Sequence, residues 1–179
     1  MNRGPAGWRA AAARSDMWYL ARNPWEKDMS AARRPFDPLA RPTVGQGYQP
    51  VIAVECAAMG VYAKSVRDLT RDAAGQAGAC EHAADTVRLL TGELFANCVR
   101  HAPDTNVRVA LFRDTATNKL VVAVDDTGRS VVVVPDQPDL PPNGAESGYG
   151  LPLLRALAAD CGAIPFGGGK RVWFVLDLN

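Results

Sequence analysis

Three polar side chains recur at four-residue intervals within Thr91–His101 of this 179-residue chain. Glu93, Asn97 and His101 would stack along one face of an α-helix, because residues four apart lie above one another there. The same stretch is otherwise apolar enough for burial, and a buried polar group without a partner costs about 1–3 kcal/mol. A carboxylate, an amide and an imidazole in such a column therefore indicate a site that needs a partner from elsewhere.

Three further short motifs stand at the ends of predicted elements: Asp126-x-Gly128, Gly148-x-Gly150 and Gly169-Lys170. A Gly-x-Gly at a helix start leaves backbone N–H groups near the positive end of the helix dipole, which suits a phosphate. Many ordinary turns are built in the same way. Each motif is weakly specific when taken alone.

The spacing of these glycines excludes two common phosphate-binding motifs. A P-loop requires Gly five residues before its Gly-Lys pair and Ser or Thr after it, but Ile164 and Arg171 occupy those positions. A Rossmann fingerprint requires a third Gly three residues after Gly150, where Leu153 stands.

The elements that must position the motifs follow from the spacing of apolar residues. Strands are predicted at Val51–Cys56, Val107–Arg113, Lys119–Asp125 and Arg171–Leu178, with a further short apolar run at Val131–Val134. Helices are predicted at Val61–Ala74 and Glu81–Ala102.

A third helix is predicted to open at Gly148-Tyr149-Gly150-Leu151 and to continue past Cys161 to Gly162, after a loop at Pro135–Ser147. The resulting order, β-α-α-β-β-(β)-α-β, predicts an α+β fold. We expect a two-layer α/β sandwich in which helices cover one face of a mixed or antiparallel sheet.

Composition is that of a soluble globular protein, with 47% apolar and 22% charged residues. No apolar run approaches the roughly 18 residues of a membrane span, and the first residues lack a signal peptide's apolar core, so a cytoplasmic location is expected. The four cysteines form no C-x-x-C pair and are expected to be reduced.

Residues 1–48 carry eight Arg/Lys against four Asp/Glu and five prolines, and they are expected to form a mostly disordered tail before a domain at 49–179. Trp8, Trp18, Tyr19 and Trp25 are unusual in such a tail and could dock on the domain or a partner. A later true start at Met17 or Met29 also stays open. The mildly acidic domain argues against a nucleic-acid-binding surface.

Taken together and in order, the motifs resemble the Bergerat, or GHKL, ATP-binding domain of DNA gyrase, heat-shock chaperone ATPases, histidine kinases and MutL. Glu-Leu-Phe-Ala-Asn-Cys-Val-Arg-His-Ala resembles the N box of the actinobacterial anti-sigma-factor serine/threonine kinases. Val-Asp-Asp-Thr-Gly resembles the first glycine motif, Gly-Tyr-Gly-Leu the second, and Gly-Lys-Arg-Val-Trp-Phe the segment before the terminal strand. The resemblance covers about residues 50–179.

The resemblance implies a role for each matching residue. Asn97 would ligate Mg²⁺, and Glu93 would position or deprotonate the attacking hydroxyl or water. Asp126 would accept a hydrogen bond from the adenine amino group, and Gly128 would let the backbone approach the base. Strand alternation and the Asp-x-Gly spacing favour Asp126 over Asp125 for that role.

The remaining nucleotide-binding positions implied by the resemblance are Arg100, His101, Gly148, Tyr149, Gly150, Leu151 and Lys170. For His101 a structural hydrogen bond and a nucleotide contact are both open. Lys170 could reach a phosphate, but a solvated side chain is the favoured interpretation.

The function implied is that of an ATP- and Mg²⁺-binding anti-sigma-factor-like kinase. It would transfer the γ-phosphoryl group to an anti-anti-sigma (STAS-type) partner and would switch between that partner and a sigma factor. A catalytically silent nucleotide-binding module that sequesters a partner is the alternative. Relatives are often dimers, so a homodimer is open.

Overall fold

The computed structural model of the chain describes residues 48–103, 105–128, 132–137, 149–166 and 168–179, together with the backbone of 9–12. Its strands are β1 (Arg9–Ala12), β2 (Tyr48–Ala57), β3 (Asn106–Asp114), β4 (Lys119–Asp126), β5 (Asp160–Phe166) and β6 (Gly169–Asp177). They form one sheet in the order β1-β2-β3-β4-β6-β5, and every neighbouring pair is antiparallel.

Among the described residues, three α-helices accompany the sheet: α1 (Ala63–Gln76), α2 (Glu81–His101) and α3 (Gly150–Leu157). A 3₁₀ turn at Gly60–Tyr62 leads into α1. The helices share one apolar core with one face of the sheet, which we call the inner face. In β4, for example, Leu120, Val122 and Val124 point toward the helices, because successive strand residues alternate between faces.

Helix α2 crosses the centre of this core. Leu90, Leu94 and Phe95 are at most 2% exposed, and full burial of such a side chain stabilises a fold by about 1.5–3 kcal/mol. The helix begins after Cys80, whose sulfur accepts a hydrogen bond from the Ala83 amide at 3.4 Å, and ends just before Pro103. This packing sets the rotation of the helix, and with it the direction of the polar column.

The α+β sandwich with helices on one face of the sheet is confirmed. The sequence left open whether the sheet is mixed or antiparallel. The described strands form an antiparallel sheet. The predicted strands and the first two helices agree with the observed elements within a few residues.

Two predictions around the third helix are wrong. The helix ends at Leu157, Ala158 is extended, and Cys161 lies in strand β5 instead of continuing the helix. Residues 132–135 form no regular structure, although the apolar run there resembles a strand. Short apolar runs fit either a helix or a strand, and here the pairing of β5 with β6 decides the outcome.

The tail contributes strand β1, which pairs with β2 at the edge of the sheet. The rest of the predicted tail before Tyr48, and most of the predicted loop Pro135–Ser147, lie outside the described residues. Among the helices of the described residues, none has the length and apolar character needed to cross a membrane.

Candidate functional site

The polar column of α2 meets the start of α3. Glu93 and Asn97 are half-buried, whereas His101 is exposed at the end of the helix. A methyl group built on Gly150 would lie 3.1 Å from Asn97 Nδ2 and 3.2 Å from Glu93 Cβ. The absence of a side chain at Gly150 therefore lets the backbone of the second glycine motif pack directly against the column.

A cavity of about 540 Å³ opens beside this contact. Its lining joins residues of α2, β4, β6, the start of α3 and the segment 132–135. The lining residues are Leu94, Asn97, Cys98, Arg100, His101, Val124, Asp126, Val132, Val133, Pro135, Gly150, Leu151, Pro152, Lys170 and Val172. Three motifs that are distant in sequence, marked by Asn97, Asp126 and Gly150, thus share one cavity.

Asp126 lies at the buried end of the cavity and is only 3% exposed. Its Oδ1 accepts hydrogen bonds from the Gly128 amide and from Lys170 Nζ, both at 2.8 Å. Its Oδ2 accepts a weaker hydrogen bond from Cys98 Sγ at 3.4 Å. Both carboxylate oxygens therefore have protein partners, as a buried charge requires.

Lys170 is not solvated, so the favoured sequence interpretation of this residue is wrong. Its side chain is 9% exposed and forms the buried ion pair with Asp126. The lysine lies on the inner face of β6 directly opposite Asp126 in the strand register, and the aspartate compensates the loss of water around the ammonium group.

Cys98 completes this cluster. Burial, followed by the negative charge of Asp126, raises the pKa of the Cys98 thiol well above its usual value. The thiol therefore stays protonated and remains a hydrogen-bond donor to Asp126.

Asp125 occupies the opposite face of the sheet. It forms a bidentate ion pair with Arg171, in which Arg171 Nη2 and Asp125 Oδ2 are 2.7 Å apart. This neighbouring carboxylate does not line the cavity, as strand alternation predicts.

The exposed rim of the cavity carries an arginine and a histidine side chain. Arg100 and His101 both line it from the last turn of α2. Arg100 Nη1 donates a hydrogen bond to Asn97 Oδ1 at 3.0 Å, so the amide oxygen is held at the rim. The buried end of the cavity thus holds the Asp126–Lys170 ion pair, and Arg100 lies at its mouth.

Two glycines allow close packing at the buried end of the cavity, because neither has a side chain. A Cβ on Gly128 would lie 2.5 Å from Ala102 Cβ, and one on Gly169 would collide with the backbone carbonyl oxygen of Asp126. Gly128 thus lets the turn after β4 close over the end of α2, and Gly169 lets β6 begin beside Asp126.

The N-terminus of α3 is suited to an anion. Tyr149 precedes the helix without a side-chain cap, and the first turn contains no acidic residue. Backbone N–H groups at such an end attract negative charge. Tyr149 is half-buried and does not line the cavity, Leu151 does, and Gly148 lies outside the described residues.

Sequence reasoning missed the apolar wall of the cavity. Val132, Val133 and Pro135 supply it from the segment after the first glycine motif, and Arg155 of α3 donates a hydrogen bond to the Asp136 carbonyl at 3.2 Å. The available signal was the apolar run itself. In the sequence this run resembles a strand, and only the folded chain shows that it borders a cavity.

No cluster of three or more His, Cys, Asp or Glu side chains occurs among the described residues. Mg²⁺ keeps several waters and is usually bound through one or two carboxylates together with substrate phosphates. The Asn97 amide oxygen, at the rim and one turn from Glu93, is the group that would offer such an ion an oxygen ligand.

Two comparisons relate this geometry to known proteins. The model of the family described as "Histidine kinase-like ATPase domain" matches residues 57–176. No curated protein matches the chain. Solved structures that resemble it include the RsbU and RsbW domains of Rv1364c from Mycobacterium tuberculosis, at 20% identity and a TM-score of 0.49.

The histidine kinase domain of the blue-light-activated histidine kinase from Erythrobacter litoralis EL346 is also similar, at 20% identity and a TM-score of 0.40. The matches cover 70% and 69% of this chain, but only 32% of the mycobacterial protein and 62% of the Erythrobacter protein. The family match spans the polar column, both ends of the cavity and all but the last residue of strand β6, and the chain therefore belongs to the histidine kinase-like ATPase domain family, whose name implies ATP as the ligand.

Proposed function

We propose that this protein binds ATP with Mg²⁺ in the 540 Å³ cavity and transfers the γ-phosphoryl group to a serine or threonine of an anti-anti-sigma partner. The observation that carries the proposal is the shared lining of Asn97, Asp126 and Gly150. These residues belong to the three motifs whose combination resembles the anti-sigma-factor kinases.

The adenine would occupy the buried end. Asp126 Oδ2 would accept a hydrogen bond from the amino group of the base, since its present donor is a weak S–H group. Lys170 would act as a positioning residue, because it binds the other carboxylate oxygen and so orients Asp126. Val124 and Val172 would contact the faces of the base.

The phosphates would lie at the mouth. The uncapped N-terminus of α3 and the Arg100 guanidinium would bind their oxygens. Asn97 would turn its amide oxygen from Arg100 toward the metal ion. When bound, Mg²⁺ would neutralise charge that builds up on the phosphate oxygens.

Glu93 would serve as the general base for transfer. Its carboxylate would take the proton of the partner's hydroxyl as that oxygen bonds to the γ-phosphorus, while the bond to the β,γ-bridging oxygen breaks and ADP leaves. Glu93 does not line the cavity but lies against Gly150. The hydroxyl would therefore approach along the start of α3.

The test is incubation of the protein with γ-labelled ATP and candidate anti-anti-sigma proteins. We expect Glu93→Gln to lower phosphoryl transfer by about 10²-fold or more, as loss of a general base does, while ATP affinity stays within about threefold. Glu81→Gln, a change in an acid of the first turn of α2, is the matched control and should leave transfer unchanged. No transfer by a wild-type preparation that binds ATP would remove the kinase part.

A second candidate is a catalytically silent module that grips a partner only when nucleotide is bound. The hydrogen bond from Arg100 to Asn97 Oδ1 favours it, because the guanidinium occupies the oxygen that a metal ion would need. This candidate predicts that Asn97→Ala abolishes nucleotide and partner binding, whereas Glu93→Ala leaves both intact. Labelled phosphate on the partner would exclude it.

A further inference from the structure

The carboxylate of Asp126 accepts hydrogen bonds from three protein donors. Two of them, the Gly128 amide and Lys170 Nζ, bind Oδ1 at 2.8 Å each. A carboxylate oxygen has two lone pairs, so both acceptor sites of Oδ1 are occupied. A further donor that enters the cavity must therefore be accepted by Oδ2.

The partner of Oδ2 is the thiol of Cys98, whose Sγ lies 3.4 Å away. Asp126 is the negative member of a buried ion pair with Lys170. Because an ionised carboxylate only accepts hydrogen bonds, the thiol is the donor in this contact. A thiol is a weak donor, so its contact with Asp126 is the weakest of the three.

Cys98 lies beside the path by which a ligand would reach Oδ2. Cys98 and Asp126 both line the cavity, the first from α2 and the second from the end of β4. Asp126 is almost fully buried, and Cys98 is 5% exposed. Little of the carboxylate is open to an incoming group while the thiol keeps its position. A donor on a ligand must therefore compete with the S–H group for Oδ2.

We propose that Cys98 sets the affinity and the base preference of the cavity: its S–H group binds Asp126 Oδ2 before nucleotide enters, and the amino group of the base then replaces it. The inference rests on the proposed function, because it takes the adenine of ATP as the base. Cys98 is a positioning residue, since it acts on the base through Asp126.

The exchange favours a base that has an amino group where adenine carries one. An N–H group forms a stronger hydrogen bond with a carboxylate than an S–H group does. A purine with a hydrogen atom at that position offers Oδ2 no replacement for the thiol. A purine with a carbonyl group there would place a second acceptor against Oδ2, as guanine and hypoxanthine would.

Loss of the thiol should therefore tighten the binding of ATP. In Cys98→Ala the amino group of adenine no longer competes with another donor for Oδ2. We expect the dissociation constant for ATP to fall about three- to tenfold, as loss of one competing hydrogen bond predicts. Because Asp126 Oδ2 then lacks its donor until ATP binds, ATP should also raise Tm more in this variant than in wild type.

Calorimetric titration with ATP and with purine riboside triphosphate, both with Mg²⁺ present, tests the inference. The two nucleotides differ only in the amino group of the base. The gain from Cys98→Ala should appear with ATP and should stay within about twofold with purine riboside triphosphate, because the cycle isolates the contact of that amino group. An equal gain with both nucleotides would show that the sulfur only limits the space for the base, and the inference would be wrong.

Cys161→Ala is the matched control. Cys161 is also a buried thiol, but it does not line the cavity, so its loss should change neither dissociation constant by more than about twofold. Cys98→Ser supplies a hydroxyl group, which is a stronger donor than a thiol, and it should abolish the gain. Circular dichroism verifies that each variant is folded at the temperature of the titration.

If Cys98→Ala unfolds the chain, Cys98→Ser carries the test by itself. The stronger donor should then weaken the binding of ATP relative to wild type and leave purine riboside triphosphate unaffected, and an unchanged affinity for ATP would contradict the inference.

The titrations also separate this inference from the proposed function. Equal binding of ATP by wild type and Cys98→Ala would remove the role of Cys98 and leave the proposed function intact. No binding of ATP by folded wild-type protein would overturn both.

Discussion

Asp125 and Asp126 are adjacent and chemically identical, yet they contact different parts of the molecule. Asp126 points into the cavity and forms an ion pair with Lys170, whereas Asp125 points outward and forms an ion pair with Arg171. Strand alternation alone separates them. The pair therefore offers a matched comparison for the role of a carboxylate at the cavity.

We expect Asp126→Asn to weaken ATP binding by at least about tenfold, because a hydrogen bond to a charged group contributes about 1.5–3 kcal/mol. It should also destabilise the fold, since it leaves the buried Lys170 ammonium without its counter-charge. Asp125→Asn should keep ATP affinity within about threefold. Calorimetric titration at a temperature where both variants are folded measures the difference, and equal losses would contradict the assignment.

At the scale of elements, the junction of β4 and β6 holds the buried end of the cavity. Gly169 lies where any side chain would collide with the Asp126 carbonyl group. Gly75 differs, because a Cβ there would meet nothing within 4 Å and the residue lies inside α1. The same substitution to alanine should therefore have opposite effects on stability at the two positions.

Gly169→Ala should destabilise the protein by about 1–3 kcal/mol through overpacking and should weaken ATP binding through displacement of Asp126. Gly75→Ala should stabilise it by about 0.5–1 kcal/mol, because alanine is favoured over glycine in a helix. Urea unfolding monitored by circular dichroism gives both values. A neutral Gly169→Ala would show that the junction can relax.

The turn between β3 and β4 depends on another carboxylate. Asp114 Oδ1 accepts from the Ala116 amide at 2.9 Å, and Oδ2 accepts from Thr117 Oγ1 at 2.6 Å. Desolvation would raise the pKa of Asp114, but these hydrogen bonds outweigh it and lower the pKa below its usual value. The carboxylate form is thus the one that the fold stabilises.

Asp114→Asn should lower stability by about 1 kcal/mol at pH 7. Because the folded-state pKa lies below the unfolded-state value of about 3.9, the contribution of Asp114 is complete above that value and is lost as the pH falls through the folded-state pKa. The difference from wild type should therefore shrink in urea titrations at pH 3. Asp177→Asn, in an exposed pair with Lys119, should change stability by less than about 0.5 kcal/mol.

At the scale of the whole molecule, burial in the fold determines which cysteine thiols water can reach. Three cysteines are buried, and only Cys80, at the start of α2, is exposed. Burial raises the pKa of each buried thiol, and the pKa of Cys56 reaches about 11 with a further contribution from the Glu55 charge. Neutral buried thiols react slowly, since the thiolate is the nucleophile.

The native protein should therefore show one fast-reacting thiol with an aromatic disulfide reagent at pH 8. The other three should react only after unfolding in urea. In the variant Cys80→Ser the fast phase should disappear. A second fast thiol in the folded wild-type protein would show that the packing over one face is looser than described.

Local patterns in the sequence predicted much of the fold and of the candidate site. The four-residue spacing in α2 predicted that Asn97 belongs to a polar column in need of a partner, and the Asp-x-Gly spacing separated Asp126 from Asp125. The prediction failed where an apolar run could adopt more than one local structure. Residues 132–135 became a cavity wall, and Cys161 became part of a strand, because contacts with distant segments outweigh weak local preference.

The sequence by itself determined most of the elements and the polar column, because periodicity and motif spacing are local properties of the chain, and its motifs carried the resemblance to the family. Only the tertiary structure decided that Lys170 forms a buried ion pair with Asp126. Lys170 lies 44 residues from Asp126 in the sequence. Burial and pairing depend on which remote segments meet, and that is fixed only when the whole chain has packed.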